Sequence, residues 1–199
     1  MRFAKHSQRH RLSFQKGDDT DKTTNRGGEQ LEFESDFHEI PAVLSTVQTD
    51  NDTEFVRTRK RGKSIDGFEL SLEEEEALLA SGHGTETVGW LAIETGSGSW
   101  SGFDYTVDST AEEVDHSWDT VSFGQSFDAT PNLLASLSSY QGGDPSGLRY
   151  RSLGASQVQL KVEEDMSLDS EIAHVNESVD FLALAGSGNL SAVSVDRFI

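Results

Sequence analysis

The chain has 199 residues, enough for one large or two small domains, with 34% apolar and 26% charged residues, no cysteine and a formal net charge of −19. No apolar run reaches the length of a membrane-spanning helix, so membrane insertion is not expected. The absence of thiols excludes disulfides, thiolate metal sites and cysteine nucleophiles.

The charge is unevenly placed. Residues 1–30 carry seven Lys or Arg against four acids, which leaves nine basic and 31 acidic residues over 31–199. Nucleic acid is thereby excluded as a partner of the acidic body, because phosphate contacts need clustered Lys and Arg. Self-repulsion in such a body is relieved by salt, whose screening length falls to about 3 Å at 1 M, and this favours a salt-rich setting.

In chain order, residues 1–30 read as a polar, basic tail that orders on an assembly partner, since their low apolar content gives them no core to join. No standard signal peptide follows MRFAKHSQRHRLSFQ, so an extracellular, cell-surface or virion location implies another export route or release by lysis. From residue 31 the chain repeats itself at an offset of about ninety. Phe33, Phe37, Pro41 and Leu44 meet Phe123, Phe127, Pro131 and Leu134; Arg57 and Arg59 are matched with Arg149 and Arg151. Phe68, Leu70 and Leu72 meet Val158, Leu160 and Val162, and HGTETVGWLAI meets HVNESVDFLAL.

Within each copy, short segments alternate apolar and polar residues between turn-rich separators such as QGGDPSG. The predicted fold is all-β: two tandem antiparallel β-sandwiches over 31–107 and 121–199, joined by 108–120. The helix-like LEEEEALLA at 72–80 has a weaker counterpart in VEEDMSLDS, so at most a short helical turn at 75–80 is expected.

Two constellations could carry chemistry. Glu73 and Glu74 end one predicted strand while His83 and Glu86 open the next, and the second copy repeats the set as Glu163, Glu164, His174 and Glu177. Clustered carboxylates suit Ca²⁺, an added imidazole shifts preference toward a transition ion, and the alternative is a solvated acidic loop. The same pairs could pass for glycosidase acids, but a duplicated scaffold without inserted catalytic loops reads as non-catalytic. The second constellation is arginine: guanidinium forks on alternate strand positions could bind sugar hydroxyls or carboxylates, or pair with the neighbouring glutamates. Among aromatics near loops, Tyr140 is the preferred sugar-stacking residue.

The order Phe33-Phe37-Pro41-Leu44, then Arg59, Gly67-Phe68-Leu70 and Trp90-Leu91-Ala92-Ile93 resembles the H-type lectin domain over 31–95. Residues 121–185 follow it, with Gln157-Val158 and Phe181 as departures. The resemblance implies a sandwich that forms a homotrimer and binds N-acetylgalactosamine-type sugars at subunit edges, with its arginine contact falling on Arg59 and Arg151. The chain is also similar to repeats in large surface proteins of marine bacteria and halophilic archaea. Two functions therefore stand side by side: a glycan-binding attachment module on a cell surface or virion fibre, or a structural subunit of a trimeric surface assembly.

Overall fold

The computed structural model describes residues 12–20, 27–78, 82–100 and 102–187, the first of these as backbone. The described chain is all-β and antiparallel. Its strands are β1 (Leu12–Thr20), β2 (Glu29–Glu32), β3 (Ala42–Val47), β4 (Val56–Arg61), β5 (Gly67–Glu74), β6 (Glu86–Ile93) and β7 (Gly96–Trp100). They continue as β8 (Phe103–Ser109), β9 (Asp119–Ser122), β10 (Asn132–Leu137), β11 (Ser146–Arg151), β12 (Gln157–Glu164) and β13 (Val179–Gly186). One 3-10 turn, Glu76–Leu78, stands where helical character was expected.

The strands form four sheets, ordered β2-β5-β4, β1-β6-β3, β11-β12-β9 and β10-β13-β8-β7. Alternating side chains from the first two sheets meet in one core holding Leu31, Phe33, Phe37, Val43, Phe68, Leu70, Leu72, Val88, Trp90 and Ala92. The other two supply a second core around Phe123, Phe127, Leu160, Val162, Val179 and Phe181. Each buried aromatic or aliphatic side chain contributes about 1.5–3 kcal/mol of transfer free energy. In the first core, Phe33 and Phe37 meet edge to face at 4.9 Å and Phe68 meets Trp90 at 5.2 Å, geometry that aromatic quadrupoles favour.

Ladder registers place the repeat more sharply than the sequence match. Arg59 lies opposite Ser71, and Arg149 opposite Lys161; Arg61 lies opposite Glu69, and Arg151 opposite Gln159. Arg59 therefore corresponds to Arg149 and Arg61 to Arg151, which corrects the expected match by one strand repeat of two residues. The corner after β4 confirms the alignment: Gly62 takes φ 60° and Ser152, its counterpart, takes φ 50°. A serine in this left-handed region costs about 1–2 kcal/mol that glycine avoids.

The copy boundaries differ from those expected. Residues 12–20, read as tail, form β1 and pair with β6 from Leu12↔Ile93 to Thr20↔Glu86, while residues 1–11 and 21–26 lie outside the described residues. β8, expected in the first copy, pairs instead with β13 of the second and occupies the place that β1 occupies in the first. The presumed joining segment also belongs to the second copy: Val114 is fully buried in its core and bridges to Glu177.

Burial patterns expose an asymmetry between the copies. β12 alternates buried and accessible positions, whereas its counterpart β5 is buried at seven of eight. Both faces of β5 are covered, one by its own core and the other by the second copy.

Candidate functional site

The contact between the copies is polar and buried, and Arg59 is its centre. Position 59 points away from the first core, because Phe68, Leu70 and Leu72 on β5 take the opposite face. Arg59 is 1% exposed and its guanidinium crosses to the second copy. It donates to Glu177 Oε1 at 2.8 Å, Ser146 Oγ at 2.7 Å and the Ser139 carbonyl at 3.3 Å, and it pairs with Glu73 Oε2 of its own sheet at 3.3 Å. The same guanidinium stacks over Tyr140 at 4.7 Å, a cation–π contact.

Glu177 is the acceptor that organises the second copy's side. Its Oε1 also accepts from the Gln141 and Gly142 amides at 3.0 and 3.1 Å and from His174 Nε2 at 3.2 Å, while the Ser139 hydroxyl donates to Oε2. Burial works against this carboxylate. The His174 hydrogen bond, the Arg59 charge and the Ser139 and Gly142 donors outweigh it and hold Glu177 at about 2. For His174, burial disfavours the cation, but hydrogen bonds to Glu177 and to Glu164 (2.8 Å from Nδ1) raise it above its ordinary value. Burial pushes Glu73 up despite the neighbouring Arg59.

Flanking contacts reinforce the joint. Lys63 Nζ lies 2.5 Å from Asp180 Oδ1, and Asp180 Oδ2 accepts the Val43 amide at 2.7 Å, so the edge of β3 is closed by a side chain from β13. Lys60, fully buried, donates to Ser136 at 2.5 Å and Ser45 at 3.1 Å; desolvation brings it down to about 7. Arg57 reaches Asp165 at 2.7 Å. Ala42, Ile93 and Val107 form a small apolar cluster at the same boundary.

The equivalent face of the second copy is open. Arg149 pairs with Glu163 at 2.7 Å, side chains 58% and 38% exposed, which repeats the Arg59–Glu73 geometry without a cover. Arg151 lies over Trp118 at 4.3 Å and Lys161 over the same ring at 5.4 Å, while Tyr150, between the two arginines on β11, belongs to the sheet's other face.

The predicted acid–histidine sets thus divide. Glu164, His174 and Glu177 meet in the second copy, but Glu163 faces solvent on the sheet's other side. In the first copy His83 lies 3.3 Å from Glu86, Glu74 is buried, and Glu73 is drawn into the joint with Arg59. Glu86 repeats the loop-holding role of Glu177: its oxygens accept the Asn51 amide at 2.7 Å, the Asp52 amide at 3.3 Å and the Thr49 hydroxyl. Arg59 and Tyr140, expected as sugar contacts, are instead engaged with each other inside the joint; Arg151 alone of the three is exposed.

Residues absent from the sequence reading also gather here. Asp52 and Glu54 approach His83, with one potential ligand atom from each lying within 4.8 Å of the others. The acidic run DNDTE at 50–54 was the available signal, but only folding brings it to the imidazole.

No family model matches the chain, and no solved structure matches it. Over 161 residues, 80% of the chain, it is 31% identical to Halomucin of Haloquadratum walsbyi; the chain spans about 2% of that protein's length.

Proposed function

We propose that the chain is a pair of tandem, H-type lectin-like β-sandwich repeats from an extracellular surface protein, and that its second copy presents a non-catalytic glycan-binding face. The carrying observation is the different fate of one repeated surface. In the first copy Arg59 is sealed in the joint, whereas in the second Arg149 and Arg151 remain accessible on the face that holds Trp118. Planar guanidinium forks suit carboxylates and vicinal hydroxyls, and an aromatic face suits the apolar side of a pyranose. A cationic, aromatic face in a chain of net charge −19 selects for acidic sugars such as uronic acids. Similarity to Halomucin supports the surface setting, as does the acidic composition. Homotrimerisation, which the lectin resemblance implies, would multiply weak contacts by effective concentration.

The test is binding of the full chain in molar KCl to an array of uronic-acid and neutral glycans. Retention on acidic glycans that falls at least tenfold in Arg151→Ala and Trp118→Ala is the expected result. Equal retention by the variants, or none by the native chain, refutes the glycan reading. The buried joint would then favour the second reading, a rigid spacer in a surface assembly.

A further inference from the structure

We propose that Asp52, Glu54 and His83 form a binding site for one divalent cation of the zinc class in the first copy. One carboxylate oxygen from each acid and one imidazole nitrogen lie within 4.8 Å of one another. The loop is preset for this: the Gly84 amide donates to Asp52 Oδ2 and the Thr53 amide to Oδ1, both at 2.8 Å, leaving each oxygen a further lone pair.

His83 supplies an independent observation. Its side chain is 1% exposed, and Nδ1 makes no hydrogen bond among the described residues. A buried ring nitrogen without a partner carries a desolvation penalty that a ligand would remove. The second copy shows how the same position is otherwise completed. There, His174 is bonded through both nitrogens, and its acidic neighbour Glu177 receives the Arg59 guanidinium.

No arginine or lysine pairs with Asp52, Glu54 or Glu86 among the described residues of the first copy. Instead, Asp52 replaces Gly142 and adds a carboxylate. Glu54 corresponds to Asp144, so the second copy keeps one of these acids but lacks the other. A cation at the first copy balances the charge that Arg59 balances at the second. Two carboxylates and an imidazole are an oxygen-and-nitrogen set that zinc accepts, with a remaining position for water; an all-oxygen set would favour calcium.

The experiment is calorimetric titration of the full chain with ZnCl₂ in molar KCl, together with the visible spectrum of added Co²⁺ as a coordination probe. One ion per chain is expected, with affinity at least tenfold weaker in Asp52→Asn and Glu54→Gln and unchanged in Asp144→Asn. Glu54 is only half-buried, so Glu54→Gln keeps the test decisive where Asp52→Asn disturbs the loop. Absence of saturable one-to-one binding overturns the proposal, as does binding that survives both variants. Equal or tighter binding of Ca²⁺ overturns the assignment to a nitrogen-preferring ion.

Discussion

Replacing Arg59 by alanine should be far more damaging than replacing Arg149, although the two occupy the same place in the repeat. The Arg59 side chain is 1% exposed and lies between Glu73 and Glu177, both 0% exposed. Its removal leaves two carboxylates in a site sealed from water, and breaking a buried pair in this way costs about 3–5 kcal/mol. For a chain of this size each kcal/mol lowers the melting temperature by about 2–4 °C, so a fall of about 6–20 °C is expected. Arg149 pairs with Glu163 at the surface, where such bridges contribute about 0–1 kcal/mol, and its alanine variant should melt within about 4 °C of the native chain. Calorimetry and urea denaturation at neutral pH in molar KCl measure both. A second change, Glu73→Gln, should restore part of the loss in the Arg59→Ala background, because a neutral amide removes one of the stranded charges. Equal losses for Arg59→Ala and Arg149→Ala, or an Arg59→Ala loss below about 1 kcal/mol, would refute the assignment of the joint to a buried ion network.

Two titrations test the joint further. Glu177 is depressed from 4.5 to about 2, so its stabilisation is present above pH 4.5 and disappears as pH falls toward 2; Glu177→Gln should flatten this acid limb of the urea midpoint, and an unchanged limb would count against the network. His174 acts in the other direction: being raised, it contributes below its ordinary 6.5, and that contribution is lost as pH climbs through its folded value. Lys60 is lowered from 10.5 to about 7, so the unfolded chain binds the extra proton between these values and stability should rise with pH across that window. Lys60→Met should abolish the rise; a variant that keeps it would place its origin elsewhere.

The core positions of both copies were readable from the sequence because each strand has to hide one face. The spacing of Phe33 and Phe37, repeated in Phe123 and Phe127, and the alternation through Phe68, Leu70 and Leu72 announce that requirement residue by residue. β1 was not readable: its sequence LSFQKGDDT scarcely resembles FDYTVDS of β8, and backbone pairing to β6 accepts either. The exchange of β8 into the second copy's sheet was likewise hidden, since hydrogen bonding along a strand carries little information about which partner it will have. The arginines show the limit most clearly. Arg59 and Arg149 share a strand position, a glutamate neighbour and a side-chain chemistry, yet one is sealed and the other solvated. Local pattern determines which face of the strand each occupies, but burial of that face depends on docking of the two copies. Asp52 and Glu54 reach His83 for a similar reason, because folding of β6 against the loop before β4 brings together groups about thirty residues apart. The sequence alone determined two repeated β cores; the tertiary structure decided which of their equivalent polar faces became a joint and which remained open, because desolvation depends on what lies across the gap.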